Sequence, residues 1–123
     1  MKLISITQDT RNNPVLITPF SLVHFLSGVA AYLIIVDYFK INLKNGFLVW
    51  FIIHGLYEVK DCYKTYYSNK EGDQVNSCYN SVADHVFGML GFLFASTLSS
   101  TNLKILFVYY WIIFGLFAKL KYT

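Results

Sequence analysis

The sequence predicts an all-α fold, a four-helix transmembrane bundle that forms a single integral membrane domain over residues 1–123. Of these 123 residues, 55% are hydrophobic and only 14% are charged, whereas an ordinary soluble domain carries about 25% charged residues. A soluble fold of this length could not bury so much apolar surface. The apolar residues also fall into four runs that short polar segments separate, and each run predicts a helix.

The formal net charge of +3 arises from scattered basic residues without a basic block, which argues against nucleic-acid binding. Two cysteines are too few for a disulfide-dense secreted scaffold. The composition therefore indicates that membrane lipids surround the fold and act as its partners. A homo-oligomer or a second membrane protein is a further candidate partner.

The first predicted helix covers residues 19–37. Thr18 and Pro19 form a typical helix start, with threonine at the N-cap and proline at the first helical position. The length is close to the roughly 20 residues that cross a bilayer. The preceding segment, residues 1–13, lacks the basic start and cleavage site of a signal peptide. The helix is apolar except for Ser21, His24 and Ser27.

The other three helices are predicted over residues 43–63, 81–98 and 103–120. The apolar run inside the second helix, residues 47–59, is too short to span a bilayer alone, so the charged ends of this helix are expected near the membrane interfaces. The only sizeable polar loop, residues 64–80, joins the second helix to the third.

The distribution of basic residues predicts the orientation of the bundle. Four spans put both termini and the polar loop on one side of the membrane. Because lysine and arginine are enriched in cytoplasmic segments, we expect a multi-pass protein with cytoplasmic termini. Seven basic residues lie on that side against three on the other, namely Lys2, Arg11, Lys60, Lys64, Lys70, Lys119 and Lys121 against Lys40, Lys44 and Lys104.

The two cysteines flank the polar loop. Cys62 precedes the loop and Cys78 lies near its end, which would suit a disulfide in an oxidising compartment. A cytoplasmic loop would instead carry two free thiols, which can serve as small apolar residues at the interface. Since the charge count favours a cytoplasmic loop, free thiols are the expectation.

Titratable side chains within the predicted spans indicate a functional site. Each costs about 2.5–3.5 kcal/mol at the centre of a bilayer, so such residues are rare without a role. In the predicted topology they lie near one end of three helices, in the cytoplasmic leaflet. They are His24 in the first span, His54, Glu58 and Asp61 in the second, and Asp84 and His85 in the third.

Helical spacing predicts that the first three spans pack around these groups. On the second span, His54, Glu58 and Asp61 share one face. On the other two spans the polar residue lies on a face of small residues, which lets membrane helices approach closely. These faces are Ser21, His24, Gly28 and Ala31 on the first span, and Asp84, Gly88, Gly91 and Ala95 on the third.

The cluster suits two kinds of chemistry. Imidazoles and carboxylates together bind borderline divalent metals such as zinc, manganese or iron, and the candidate ligands are His24, His54, Glu58 and Asp84. The same groups suit general acid/base catalysis, for which Glu58, Asp84 and His54 are the candidate catalytic residues. His24, Asp61 and Asn80 are candidate ligand-binding residues. Whether the chain is an enzyme stays open.

Structural roles remain open for the residues on the third span. Ser81 and Asp84 fit the capping-box spacing, so Asp84 can serve to start the helix. Asn80 can orient Asp84 or end the loop. His85 lies about 100° from Asp84 around the helix, so both cannot point inward equally, and a structural role for His85 is the alternative.

The acidic residues of the second span and His24 also have alternatives. Glu58 and Asp61 can lie at a wet helix end, where Lys60 and Lys64 are close enough to pair with them. His24 alone can act as a structural hydrogen-bonding group.

With these residues in view, the sequence resembles the VanZ-like group of small polytopic membrane proteins over about residues 20–95. The resemblance implies the architecture and a shared polar site at Glu58 and Asp84 more than an activity. His54 and His85 depart from the group's pattern. The matching fragments are His24-Phe25 followed by Gly28, Tyr57-Glu58-Val59-Lys60-Asp61, and Asn80-Ser81-Val82-Ala83-Asp84 followed by Gly88 and Gly91.

The leading functional hypothesis is a cytoplasm-facing intramembrane site that binds a lipid headgroup or a lipid-linked ligand, and whether the site also processes this ligand stays open. Two alternatives remain. In the first, the protein is a structural or accessory membrane subunit whose polar residues only hold helices together. In the second, the polar groups conduct protons or ions.

Overall fold

The computed structural model describes residues 2–5, 14–67 and 78–122, and the four predicted helices are confirmed there. Residues 6–13 and the middle of the predicted polar loop, residues 68–77, lie outside the described residues. The helices are α1 (Pro19–Tyr32), which continues into a π-helical segment (Leu33–Tyr38), α2 (Leu43–Tyr67), α3 (Cys78–Ser96) and α4 (Thr101–Tyr122).

The start of α1 is the one that the sequence predicts. Thr18 is extended and Pro19 occupies the first helical position. The backbone N–H of Thr18 donates to Ser21 Oγ (3.2 Å), and the N–H of Ser21 donates to the Thr18 carbonyl (2.9 Å). Ser21 is fixed by this cap, one helical turn before His24.

The connection between α1 and α2 combines a wide helical turn with a left-handed residue. At the end of the π-helical segment, the N–H of Phe39 donates to the Ile34 carbonyl (3.0 Å). Lys40 follows with φ 61°, in the left-handed region. Asn42 then caps α2, since its Oδ1 accepts the N–H of Asn45 (2.8 Å). The chain thus reverses direction within a few residues.

α3 lies between α1 and α2 and packs most extensively on α1. Glycines make this approach close: a Cβ added at Gly91 would collide with the Phe25 carbonyl, and one at Gly28 would lie 2.6 Å from the Phe92 backbone nitrogen. The small-residue faces predicted on these two helices therefore do meet. Phe92 is fully buried beside this contact, among the apolar side chains of α1 and the π-helical segment.

Two short strands that the sequence analysis does not predict precede α1. β1 (Lys2–Ile4) and β2 (Val15–Ile17) form a parallel pair in which Lys2 pairs with Val15 and Ile4 with Ile17. β2 rests against α3, where Val15 is fully buried. Three-residue strands leave too short an alternation pattern to be distinguished in the sequence.

A disulfide between Cys62 and Cys78 joins the end of α2 to the start of α3. The expectation of free thiols is therefore wrong. α2 and α3 lie side by side here, so the two Cα atoms are 4.8 Å apart, a separation that a disulfide bridges. A cross-link over a sequence separation of 16 contributes about 3 kcal/mol to stability.

An ion pair between the buried Lys104 and the half-buried Asp37 holds the start of α4 at the opposite end of the bundle. Lys104 is 5% exposed, and its Nζ lies 2.7 Å from Asp37 Oδ2 and 4.7 Å from the centre of the Tyr32 ring. We expect Lys104→Met to lower the free energy of unfolding by about 1–3 kcal/mol, because it leaves the Asp37 carboxylate without its cation. Denaturant unfolding of the purified protein measures this loss.

The double variant Lys104→Met with Asp37→Leu should regain part of that stability, since it removes both charges. Lys44→Met, at an exposed lysine, is the matched control and should have little effect. Equal unfolding curves for Lys104→Met and Lys44→Met would contradict the prediction.

One helical stretch of the described residues, Pro19–Tyr38, is long and apolar enough to cross a membrane, with 20 residues and a mean hydropathy of 1.9. In α4 the apolar part, Thr101–Phe117, is shorter, and α2 and α3 do not meet the same criterion. By length and composition the structure thus supports one of the four predicted spans. The four-span topology stays a prediction.

Candidate functional site

The three histidines of the chain meet at the disulfide end of the bundle, one from each of α1, α2 and α3. His24 Nδ1 lies 3.0 Å from His54 Nε2, and His54 Nδ1 lies 3.1 Å from His85 Nδ1. Glu58 and Asp84 lie beside them, each within ion-pair distance of His24. The three helices thus bring imidazole and carboxylate groups together, as the sequence predicts.

Three of these groups have the spacing of metal ligands. His24 Nδ1, His54 Nε2 and Glu58 Oε1 are separated by 3.0, 3.3 and 3.7 Å. Ligands at about 2.0–2.1 Å from a tetrahedral zinc ion lie about 3.4 Å from one another. The three atoms therefore lie near three corners of such a tetrahedron, and the cluster can hold a metal ion.

Asp84 orients His24 for this role. Its Oδ2 lies 3.2 Å from His24 Nε2, an ion-pair contact without the geometry of a hydrogen bond. Because a carboxylate can only accept, this contact favours the tautomer with the proton on Nε2, in which Nδ1 keeps its lone pair. Asp84 is fully buried, and its Oδ1 accepts a hydrogen bond from Ser21 Oγ (3.1 Å). A carboxylate that holds the second nitrogen of a histidine is the usual support of a metal-binding imidazole.

His54 has an equivalent support in His85, whose Nδ1 lies beside its own Nδ1. When His54 donates Nδ1–H to His85, its Nε2 lone pair faces the lone pair of His24 and the carboxylate of Glu58. In this tautomer three acceptor atoms converge on one point, whereas with the proton on Nε2 His54 donates to His24 Nδ1 instead. A cation at that point would stabilise the first tautomer.

The carboxylate of Glu58 has few other partners. The residue is 4% exposed, and neither of its oxygens has a hydrogen bond of good geometry with the described residues, although Ser81 lies beside it. Buried polar atoms normally have a partner, and a bound ion is one explanation when they do not. The carboxylate of Glu58 is therefore available to a bound ion.

Asp84 and His85 both contribute although they are adjacent on α3. Because α3 lies between two helices, Asp84 reaches His24 on α1 while His85 reaches His54 on α2. Asp84 is fully buried and His85 only half-buried, so the two do not point inward equally, as the sequence predicts. The capping interpretation of Asp84 is wrong, since α3 begins at Cys78 and Asp84 lies well inside it.

Two predicted ligand-binding residues, Asp61 and Asn80, lie outside the cluster. Asp61 Oδ1 is 3.7 Å from Lys60 Nζ, as the interpretation of a wet helix end expects. Asn80 is buried, and its Nδ2–H donates to the Leu16 carbonyl (3.0 Å), which ties β2 to α3. Three of the four predicted metal ligands, His24, His54 and Glu58, have metal-ligand spacing, and Asp84 does not belong to this set.

The predicted pairing of Lys64 with the acidic residues of α2 concerns a side chain outside the described residues.

The sequence analysis assigned no site role to Ser21, Trp50 or Ser81. Ser21 donates to Asp84, and its position one turn before His24 is the signal that could have identified it. The Nε1–H of Trp50 donates to the Gly88 carbonyl (3.1 Å), and its ring packs 4.9 Å from that of His54. Only the tertiary structure reveals this contact.

Two grooves reach the cluster from different sides. The α2–α3 groove, of about 570 Å³, is lined by apolar side chains together with Glu58, Ser81 and His85. A second groove, of about 460 Å³, is lined by residues of α1, α2 and α4 that include His24 and His54. Both volumes are typical of small-molecule sites, so a ligand can approach the cluster from either groove.

No family model, no curated protein and no solved structure matches this chain. The resemblance to the VanZ-like proteins therefore stays a prediction that depends on three short fragments. The geometry of the cluster is the basis for assigning a function.

Proposed function

We propose that this protein is a membrane-embedded, metal-dependent enzyme that acts on a lipid headgroup or a lipid-linked ligand. The observation that supports the proposal best is the near-tetrahedral spacing of His24 Nδ1, His54 Nε2 and Glu58 Oε1. Asp84 contacts the second ring nitrogen of His24, and His85 contacts that of His54. Such support is typical of metal sites.

The donor set indicates the metal and its use. Two imidazoles and one carboxylate are a common catalytic zinc set, and manganese or iron are the other candidates. Three protein ligands leave a coordination position open, as catalytic sites require. A divalent ion there would act as a Lewis acid on a carbonyl or phosphoryl oxygen. The residues of this chain would hold the ion, orient the two imidazoles and limit the access of water.

The surface of the bundle supports a membrane location. Large apolar side chains are exposed on the outer faces of α2 and α4, among them Leu56 (66%), Phe117 (62%) and Leu120 (82%). Monomeric soluble proteins rarely expose contiguous apolar surface of this extent. Lipid would cover these faces in a membrane and would bring headgroups to the end of the bundle where the cluster lies.

Two observations bear on the orientation. The count of basic residues predicts that the site faces the cytoplasm. The disulfide between Cys62 and Cys78 lies at the same end, and disulfides persist in oxidising compartments. We infer that the site lies on the oxidising side of the membrane. A disulfide reports the redox conditions around it directly, whereas the count of basic residues indicates the orientation only statistically.

Metal content is the decisive test. We expect elemental mass spectrometry of the purified protein to find zinc, manganese or iron at near one ion per chain. His54→Ala and Glu58→Gln should both lose it, because two ligands hold a divalent ion far more weakly than three. Asp61→Asn is the matched control, since it removes a carboxylate from the same helix outside the cluster and should keep the ion.

The contrary result is a folded, monodisperse wild-type protein without metal after growth with all three metals. It would favour the accessory-subunit hypothesis, under which the polar groups only join helices. That hypothesis predicts that Asn and Gln substitutions keep the protein stable, because they retain hydrogen bonds.

One observation favours proton conduction as a second candidate. The neighbouring rings of His85, His54 and His24 run from the α2–α3 groove to the second groove. Such a chain can relay protons. A relay needs no metal, so the measurement of metal content separates the two functions.

A further inference from the structure

We propose that the α2–α3 groove binds one alkyl chain of an amphiphilic ligand, with the polar end of that ligand at Glu58. The position of the polar group at Glu58 rests on the proposed function. Binding of the alkyl chain in the groove does not require a metal. The groove is lined by apolar side chains from both helices, including Phe51, Ile52, Leu56, Val59, Val82 and Val86.

The shape of the groove fits a chain that lies along the helices. On α2 its lining runs from Phe51 to Cys62, which corresponds to about 16 Å of helix. Gly55 opens the middle, because it has no side chain and a Cβ there would lie 3.4 Å from the His85 ring. The groove is therefore long, narrow and apolar.

The polar residues of the groove lie where a headgroup would be. Glu58 and Ser81 are both buried, line the groove and lie beside each other. Glu58 lies nearer the disulfide end of the groove than the Phe51 end. An amphiphile would thus place its polar group at the end of the bundle and its chain toward the middle, which is the orientation of a lipid in a leaflet.

An occupant without polar backbone groups suits this lining, which is almost wholly apolar away from Glu58, Ser81 and His85. An extended peptide would need partners for its backbone N–H and C=O groups. α2 and α3 use their own backbone groups within the helices, so an alkyl chain, which needs no hydrogen bonds, fits this groove best.

Photo-crosslinking of the purified protein tests the proposal. The probe is a palmitate analogue that carries a diazirine within the chain, and a matching prenyl-chain probe distinguishes acyl from polyprenyl ligands. We expect saturable labelling of residues 51–59 of α2 and residues 82–86 of α3. An excess of unlabelled palmitate or prenyl alcohol should prevent this labelling. Val82→Trp and Val86→Trp, two variants at exposed positions of the groove, should each lower this labelling at least fivefold and keep the wild-type metal content.

The matched control is Ile112→Trp, an exposed apolar position of α4 outside the groove, which should label like the wild type. His54→Ala should lose the metal but keep the labelling. The metal content thus tests the proposed function, and the labelling tests the alkyl-chain groove independently. Labelling spread evenly over the exposed faces of α2 and α4, or unchanged by both tryptophan variants, would overturn the proposal, because the probe would then report only surrounding lipid.

Discussion

Replacement of Gly91 by alanine is expected to destabilise the bundle by about 3 kcal/mol or more. The added methyl group would collide with the backbone carbonyl of Phe25, and backbone cannot move aside as a side chain can. The contact affected is the one between α1 and α3, the most extensive in the fold. Denaturant unfolding followed by circular dichroism measures the loss, and the metal content should fall with it because His24 moves away from Asp84.

The matched control is the same substitution at Gly115 on α4. The nearest atom to a Cβ there is Val23 Cγ1 at 3.9 Å, an ordinary contact. Because alanine is the better helix former, Gly115→Ala should be neutral or stabilising by up to about 1 kcal/mol. Gly28→Ala, on the facing helix, should repeat the effect of Gly91→Ala. Equal stability of the Gly91 and Gly115 variants would contradict the close contact between Gly91 on α3 and the Phe25 backbone on α1.

Asp84→Asn is expected to weaken metal binding 10- to 100-fold while the protein remains folded. The carboxylate of Asp84 can only accept, which favours the proton of His24 on Nε2 and leaves Nδ1 for the proposed metal. An amide has both a donor and an acceptor, so it can hold His24 in either tautomer. Competition with a chelating dye of known zinc affinity gives the dissociation constant of each variant.

Ser21→Ala should have a smaller effect in the same direction, since Ser21 donates to Asp84 and does not touch His24's Nε2. Asp61→Asn controls for the loss of a negative charge and should bind metal like the wild type. A wild-type dissociation constant for Asp84→Asn would mean that Asp84 does not position His24. Denaturant unfolding of each variant separates a metal effect from a loss of fold.

Much of the fold could be predicted because the signals that define it are local. The apolar runs and the Thr18–Pro19 start define helices within one turn or so of their observed bounds at most ends. The meeting of His24, His54 and Asp84 follows from helical spacing combined with the alternating direction of the spans. The first argument uses only neighbouring residues, and the second adds to them only the up-and-down order of the helices.

The details of the site depend instead on contacts between distant residues. That Asp84 faces α1 while His85 faces α2 follows from the position of α3 between them, which no local pattern encodes. The partner of Asn80 is Leu16, 64 residues earlier in the chain. The disulfide depends on the lateral approach of two helix ends, and on this point the charge count gave the opposite expectation.

The position of α3 also determines the order in which the chain can assemble. All three proposed metal ligands lie on α1 and α2, yet these two helices make few direct backbone contacts. α3 packs against both helices and aligns them. The Asp84 that accepts a hydrogen bond from Ser21 lies 63 residues later in the chain. During synthesis, α1 and α2 therefore leave the ribosome before the element that aligns them exists. We therefore expect the proposed ion to bind tightly only after α3 has docked, so that metal occupancy would mark the chains that have completed their biogenesis.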